Sequence, residues 1–431
     1  MGIPIQRLWP ALALATACSI SCRAGEESPD LAPLPDVEDL PVIADLPEPF
    51  EALDGTRIET DEQWRTLRRP ELERLFLHYV YGRMPAAPRV IATREQEDVL
   101  VLDGKVTLSQ IELRFEGLPE AAPSIHLALF LPSAAQGPVP IFLGLNKCGN
   151  HTVLSHAALP VRDRAWRMDY CNPEEEKGLP GAKADAWCVD LLAERGWGLA
   201  TFCVADIDPD RDDFTDGIHP WYPELANTAD GWGSIAAWAW GLMRAVDFLV
   251  EEERVDSGRI ALIGHSRRGK TALLAGALDE RIALVVPHQS GTGGAALSRN
   301  NDQETLERIT RVFPHWFNHV FPRFAGRESL LPIDQHLLVA LVAPRPLLET
   351  VGLQDTWTNY ESSLIGLRAA SPVWSLHGTT GMIGTGVIEA GTPIDSETCG
   401  RLAQVRLDTK HVLNADYWNL ILDFADLNLG R

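Results

Sequence analysis

The segment from 259 to 273 carries the strongest sign of chemistry in this sequence. It reads RIALIGHSRRGKTAL, in which an apolar run leads into Gly264-His265-Ser266 and a helical pattern follows almost at once. A tight turn from a strand into a helix lifts a serine hydroxyl above a sheet, and small flanking residues relieve crowding there. The helix N-terminus adds free N–H groups that stabilise an oxyanion. The spacing Gly264-x-Ser266-x-x-Gly269 has one residue more than G-x-S-x-G. Ser266 is therefore the predicted nucleophile, and a helix N-cap serine is the alternative.

A serine nucleophile needs a base, and the base needs an acid that orients it. In the α/β-hydrolase order both follow the serine along the chain. Among the twelve histidines, position favours His411, which lies in a loop just before the last predicted helix. The predicted acid is Asp355, in the loop after a strand at 346–351, and a turn-forming aspartate is the alternative there. Asp408 and Asp416 lie too close to His411 in sequence to be preferred.

Strand-like apolar runs alternate with helical patterns from about residue 51 to the end of the sequence. The predicted strands cover 99–102, 106–115, 125–131, 139–145, 199–205, 259–264, 282–287 and 346–351. A helix is predicted after Thr60, another ending at Gly196, and a long one over 233–252. This alternation predicts an α/β-hydrolase fold, a three-layer αβα sandwich with a mostly parallel central sheet, in one catalytic domain over 51–431.

The first fifty residues differ in composition from the rest. Residues 1–22 carry one arginine and an apolar stretch too short to span a bilayer, which predicts a signal peptide. A cysteine after small residues, Cys18 or Cys22, is typical of a bacterial lipoprotein, and ordinary secretory cleavage is the alternative. Residues 23–50 alternate proline with acidic residues, which predicts an extended linker. We expect an exported protein, periplasmic, held at the outer membrane as a lipoprotein or extracellular, with membrane contact only through such a lipid anchor.

Charge and cysteine usage exclude several classes of function. The 431 residues contain 60 Asp and Glu against 38 Lys and Arg, a formal charge of −22. Phosphate binding needs clustered cations, so no nucleic-acid partner is expected. The cysteines after Cys22 are Cys148, Cys171, Cys188, Cys203 and Cys399. They form no CxxC pair or Cys/His cluster, so a structural zinc site is not expected. We predict neither a metal nor a cofactor. Their pairing stays open, although an odd number leaves at least one unpaired if none is intermolecular.

The segment from Gly264 to Lys270 resembles the nucleophile motif of the glucuronoyl esterases, carbohydrate esterase family 15, especially of their bacterial branch. That motif is G-[HC]-S-R-x-G-K, and the sequence here is GHSRRGK. Further segments similar to this family are RPE at 69–71, YG at 81–82, GLN at 144–146, GNHT at 149–152, GGAALSR at 293–299, FPHWF at 313–317, HLL at 336–338, APR at 343–345 and AASP at 369–372. The similarity covers most of the chain and accounts for the additional residue in the serine motif.

The resemblance implies Ser266 as nucleophile and His411 as base. The family places its acid at one of two locations, and at one of them this sequence has Gln289 where fungal members have glutamate. Glutamine carries no charge to stabilise an imidazolium, so the acid is expected at the other location, Asp355. Arg267 is expected to stabilise the oxyanion through its backbone N–H and its guanidinium.

Four more residues have substrate-binding roles implied by the resemblance. Lys270 is expected to reach sugar hydroxyls at the site mouth and Glu304 to bind the uronate ring. Trp357 is expected to stack on the substrate or to donate its indole N–H, and Arg299 is a further binding residue. The alternatives are a solvated helix residue for Lys270 (and for Arg267), a surface acid for Glu304 and a core residue for Trp357.

The activity that the resemblance implies is that of a serine esterase working through a covalent acyl-enzyme. Its substrates would be esters of (4-O-methyl-)glucuronic acid, as in the lignin–carbohydrate ester linkages of glucuronoxylan. The expected partner is therefore glucuronoxylan or a lignin–carbohydrate ester, bound by a monomer. Two alternatives stay open. One is another exported α/β-hydrolase, such as an acetyl-xylan esterase or a peptidase, and the other is a non-catalytic carbohydrate-binding protein.

Overall fold

A large, mostly parallel sheet organises the chain in a computed structural model, which describes residues 33–162, 171, 176–226 and 228–430. The predicted signal peptide at 1–22 lies outside the described residues. The described part contains a ten-stranded sheet. Its strands are β1 (Val90–Val101), β2 (Val106–Phe115), β3 (Ile125–Pro132), β4 (Val139–Asn146), β5 (Gly198–Cys203), β6 (Val255–His265), β7 (Leu284–His288), β8 (Leu347–Gly352), β9 (Val387–Glu389) and β10 (Leu402–Leu407).

The order of the strands across the sheet is β1-β2-β3-β5-β4-β6-β7-β8-β10-β9. Pairing is antiparallel from β1 to β5 and parallel from there on. Parallel strands end at one edge, so the loops that follow β4, β6, β7, β8 and β10 meet there. Ligands of open α/β sheets bind at this carboxyl edge.

Helices pack on both faces of the sheet. They are α1 (Asp61–Gln63), α2 (Arg69–Phe76), α3 (Ala184–Trp187), α4 (Val189–Glu194), α5 (Pro223–Ala226), α6 (Ser234–Leu249), α7 (Arg267–Leu278), α8 (Leu306–Val312), α9 (Gln335–Ala340), α10 (Tyr360–Ala370), α11 (Pro372–Leu376) and α12 (Ala415–Leu429). One buried apolar cluster joins the sheet to α2, α6, α7 and α9, and a second joins it to α4 and α12. The predicted three-layer α/β-hydrolase architecture is therefore confirmed.

The strands that carry the site are the ones with the strongest sequence signal. All eight residues of β4 are buried, as a continuous apolar run indicates for a strand covered on both faces. The edge strands were harder to predict. Most residues of β1 are exposed and many are charged or polar, so only its end, 99–102, has a strand-like pattern. The short β9 and the strand β10 were not predicted.

The structure differs from the sequence prediction at the N-terminal segment 33–50, which was expected to be an extended linker. Val37 and Leu40 are buried in the main core. The Tyr79 hydroxyl donates to the Pro35 carbonyl at 2.8 Å, and His336 Nε2 lies 2.7 Å from the Pro47 carbonyl. Proline fixes φ and removes a donor but leaves its carbonyl free to accept, so a proline-rich segment can still dock on a surface that supplies donors and an apolar pocket.

Candidate active site

Ser266 stands at a sharp turn between β6 and α7. Its backbone has φ 64° and ψ −127°, a left-handed conformation that is rare and strained for a residue with a Cβ. Two glycines make room for the turn. A Cβ on Gly264 would lie 1.9 Å from the Arg268 carbonyl, and one on Gly269 would lie 2.8 Å from the Gly264 carbonyl. The backbone packing at the turn therefore requires glycine one residue later than in G-x-S-x-G.

Hydrogen bonds hold this turn in place. The Ser266 N–H donates to the His288 carbonyl of β7 at 2.9 Å, and the Gly269 N–H donates to the Ser266 carbonyl at 2.7 Å. The side chain of Ser266 makes no N-cap hydrogen bond to α7. Ser266 is therefore not a capping serine in this structure, and it lines a cavity.

His411 and Asp355 are joined by a hydrogen bond. His411 Nδ1 lies 2.6 Å from Asp355 Oδ2, although 56 residues separate them in sequence. Asp355 follows β8 and His411 follows β10, so the parallel pairing of these two strands brings both loops together. Because the carboxylate can only accept, the Nδ1 atom carries the proton. His411 Nε2 is then the nitrogen with a lone pair.

Asp355 is held in its ionised form. Its side chain is 2% exposed. Burial by itself would raise the pKa, but hydrogen bonds from His411, from the Trp357 N–H (3.0 Å) and from the Thr358 hydroxyl (3.0 Å) outweigh it. The pKa of Asp355 is therefore below its ordinary value of 3.8. A carboxylate of this kind orients a histidine and stabilises its protonated form.

Two further histidines lie behind His411. The ring of His265 is 4.4 Å from that of His411, and its Nε2 donates to the Gln289 side-chain oxygen at 3.1 Å. His288 Nε2 donates to the Val412 carbonyl at 2.9 Å. Burial lowers the pKa of His265 well below 6.5 and that of His288 to about 3. Both rings are therefore neutral at ordinary pH, and Gln289, whose amide donates to the Lys410 carbonyl, adds no charge.

Arg267, next to Ser266, is fixed by a carboxylate that the sequence analysis missed. Its guanidinium bonds Asp210 at 2.5 Å and lies over the rings of Phe313 and Trp316, at 4.8 and 4.3 Å from their centroids. Asp210 Oδ1 also accepts from His315 Nε2 at 3.1 Å and from the Trp316 indole at 3.0 Å. These contacts outweigh the burial of Asp210 and hold its pKa well below the ordinary range. Nothing in the local pattern of the acidic segment 206–216 distinguishes this aspartate.

Lys270 and Glu304 form a buried ion pair. Lys270 Nζ lies 3.0 Å from Glu304 Oε2 and also donates to the carbonyls of Ser290 and Thr292, at 2.7 and 2.6 Å. Both side chains are at most 3% exposed. Burial lowers the pKa of Lys270, although the Glu304 charge opposes that shift. Lys270 is therefore not a solvated helix residue, nor is Glu304 a surface acid. The pair fastens α7 to the loop after β7.

Arg299 and Trp357 lie in the segments that follow β7 and β8. Trp357 is half-buried two residues after Asp355, with the Arg308 guanidinium over its ring at 3.9 Å. Arg299 is buried, pairs with Asp334 at 3.1 Å and donates to the Ile333 carbonyl at 3.0 Å. These contacts connect the loop that carries Arg299 to the loop that carries Ile333 and Asp334.

Ser266, Arg267 and His411 line one cavity of about 380 Å³, together with residues that follow β4 and β10. Cys148 lies in its wall and is joined to Cys171 by a disulfide, which the sequence left open. Cys188, Cys203 and Cys399 are buried. In the part of the chain that the structure describes, no three His, Cys, Asp or Glu side chains could hold a metal ion. Each helix within those residues is too short or too polar to cross a bilayer.

Comparison with known proteins gives consistent results. A family model described as glucuronyl esterase of fungi matches residues 186–378. A carbohydrate esterase from an unknown prokaryotic organism is 35% identical over 388 residues, 88% of each chain. A solved glucuronoyl esterase from Solibacter usitatus has a TM-score of 0.82 and 33% identity, over 91% of this chain and all of that one. A 4-O-methyl-glucuronoyl methylesterase from Phanerochaete carnosa is 26% identical over 77% of this chain and 72% of its own.

Proposed function

Since the chain belongs to the glucuronoyl esterases, carbohydrate esterase family 15, we propose that it hydrolyses esters of (4-O-methyl-)glucuronic acid. Relatives that carry the name 4-O-methyl-glucuronoyl methylesterase support this substrate class. The observation that carries the proposal is the 2.6 Å pair of His411 and Asp355 beside the cavity that Ser266 also lines. The natural substrate on this proposal is the ester between a glucuronate of glucuronoxylan and a lignin alcohol.

The reaction begins with attack of Ser266 Oγ on the ester carbonyl carbon. His411 Nε2 takes the hydroxyl proton, and Asp355 stabilises the imidazolium through Nδ1. The proton then passes to the alcohol oxygen as the C–O bond breaks, which leaves a glucuronoyl ester on Ser266. Water, activated by His411, attacks that ester and releases glucuronate.

Arg267 stabilises the negative charge that develops on the carbonyl oxygen. Its backbone N–H is the first of α7, where the N–H groups of a helix have no partner in the helix itself. Its guanidinium is held beside Ser266 by Asp210 and by the two aromatic rings. A donor fixed before the reaction needs no reorganisation during it, which is how an oxyanion site lowers the barrier.

The uronate ring binds on the β7 and β8 side of Ser266. Lys270, Glu304, Trp357 and Arg299 are the residues proposed to hold it. The buried pair of Lys270 and Glu304 supports a pre-arranged floor for this subsite, because its charges are already positioned and desolvated. Half-buried Trp357 offers an indole at the rim.

The protein is further proposed to be an exported monomer, with a signal peptide at 1–22. Cys18 or Cys22 would carry a lipid if the protein is an outer-membrane lipoprotein. The mass of the mature N-terminal peptide tests the signal peptide and the lipid, and cell fractionation tests export. A periplasmic or secreted protein without lipid would contradict the lipid anchor and leave export standing.

An esterase panel tests the function. The methyl and benzyl esters of glucuronic acid should be hydrolysed, with p-nitrophenyl acetate turned over poorly, and the Ser266→Ala variant should be inactive on all of them. Turnover of the acetate alone would indicate another hydrolase of this fold. Sugar binding without hydrolysis of any ester would indicate a carbohydrate-binding protein.

A further inference from the structure

The cavity beside Ser266 is lined by cations, in a chain that is strongly acidic overall. Its wall includes Lys147, Lys177, Lys183, Arg267 and Arg268. Among the described residues that line it, none is Asp or Glu. The whole chain has 60 acidic residues against 38 basic ones, so this concentration of positive charge runs against the composition.

The charges act on one another. The pKa of Lys147 is lowered to about 7, first by burial and then by the positive charges of Arg268 and Arg267, while Asp210 opposes the shift. Asp210 offsets the charge of Arg267. Lys177 and Lys183 make no ion pair with any of the described residues, and Lys177 is exposed to solvent. Five cationic side chains, and no described carboxylate, therefore line the cavity next to the nucleophile.

The position of the cavity indicates which half of the ester it receives. β6, which ends at Ser266, lies between β4 and β7 in the sheet. Lys270 contacts the loop after β7, and Trp357 follows β8, so the proposed uronate subsite lies on that side. Lys147, Lys177 and Lys183 of the cationic cavity lie in the segment between β4 and β5, on the other side of β6, and the loop after β10 supplies His411, Val412 and Leu413 to the same wall. An ester whose carbonyl carbon meets Ser266, with its ring in the proposed uronate subsite, can then extend its alcohol towards these lysines.

The cavity also has an apolar wall. Trp187, Val412 and Leu413 line it together with the cations. An apolar surface beside fixed positive charges suits an aromatic or alkyl alcohol that ends in an anionic group. A carboxylate is such a group, because it accepts hydrogen bonds from both ammonium and guanidinium.

We infer that this cavity is a leaving-group subsite that selects glucuronate esters whose alcohol bears a carboxylate. The inference rests on the proposed function and adds the chemistry of the alcohol. Lys177 and Lys183 are its specificity-determining residues, and they act on the alcohol rather than on the carbonyl.

Three esters test the inference: 4-carboxybenzyl glucuronate, 4-carbamoylbenzyl glucuronate and the unsubstituted benzyl glucuronate. The carboxylate and the amide have nearly the same shape and differ in charge. The wild-type enzyme should show a kcat/KM at least about fivefold higher for the carboxylate than for the amide at low ionic strength. The ratio should fall towards one in about 0.5 M salt, because salt screens charges at a solvent-open site.

Variants identify the source of the preference. In Lys177→Gln/Lys183→Gln, the ratio of the two kcat/KM values should fall to about one. The matched control is Lys105→Gln, since Lys105 is exposed in the β1–β2 turn and pairs with Glu194; its ratio should equal that of the wild type. Equal rates on the two esters in the wild type, or a ratio that survives the double substitution, would overturn the inference while the proposed function stands. Hydrolysis of none of the three esters would overturn the proposed function, and this inference with it.

Discussion

Replacement of Asp355 by asparagine removes one charge and changes one donor pattern at the centre of the proposed site. Asp355 accepts three hydrogen bonds, from the Trp357 N–H on one oxygen and from Thr358 and His411 on the other. Asparagine offers one oxygen and one NH₂ group. If the NH₂ group faces His411, it meets a nitrogen that must give up its proton. If it faces Trp357, it meets a backbone N–H, and that hydrogen bond is lost.

The first orientation disables the base. A side chain that donates to His411 Nδ1 stabilises the tautomer with its proton on Nε2, and that nitrogen can no longer take the Ser266 proton. The imidazolium also loses a buried charge-assisted hydrogen bond, worth about 1.5–3 kcal/mol. The equivalent change in serine proteases lowers kcat about 10⁴-fold, or about 5.5 kcal/mol, so a loss of about 10³- to 10⁴-fold in kcat is expected here.

The assay is kcat and KM on benzyl glucuronate, with thermal unfolding as a check of the fold. Asp408→Asn is the matched control, because Asp408 lies three residues before His411 but is exposed and accepts from the Gln354 amide at 2.9 Å. It should keep kcat within about twofold of the wild type. A folded Asp355→Asn enzyme with a kcat within tenfold of the wild type would refute the assignment of Asp355 as the acid.

Three other predictions concern the nucleophile, the arginine and a buried acid. Ser266→Ala should lower kcat by about 10⁵-fold or more, while calorimetry still detects binding of glucuronate; residual turnover near the wild-type rate would contradict the proposed mechanism. Asp210→Asn should lower kcat about 10- to 100-fold, with KM nearly unchanged, because the contact that holds Arg267 is lost. Asp212→Asn, at an exposed position, is the control, and equal losses of kcat in both variants would contradict the role of Asp210. Burial raises the pKa of Glu349 from 4.5 to about 7, so the folded state binds this proton more tightly and stability falls as pH rises through that interval. Glu349→Gln should therefore raise Tm relative to the wild type at pH 8 more than at pH 4, and a pH-independent difference would contradict the assignment.

The parts of the site that follow from local pattern could be predicted, and those that depend on contacts across space could not. The turn at Ser266 is encoded within seven residues, because Gly264 and Gly269 are needed by its own backbone packing. His411 and Asp355 follow from the order of strands in the fold, and the structure brings them within hydrogen-bond distance. Asp210 reaches Arg267 over 57 residues of sequence, and no local signal marks that contact.

The sequence also did not predict which polar residues are buried. A lysine one turn after the nucleophile is expected at the mouth of a site. Lys270 is instead buried, and its ammonium group donates to two carbonyls and to Glu304. The prolines and acidic residues of 33–50 likewise predict a solvated linker, because their composition alone indicates exposure. Composition does not reveal that Tyr79 and His336 supply donors at the right places.

The docking of segment 33–50 also sets an order of events during synthesis. His336, which contacts the Pro47 carbonyl, follows it by 289 residues. At about 5–20 residues per second, a ribosome needs roughly 15–60 s to add that stretch. Val37 and Leu40 have no completed binding surface during that time, and the segment should stay accessible to protease in nascent chains stopped before His336. The contact between this segment and His336 therefore cannot form until most of the chain has been made.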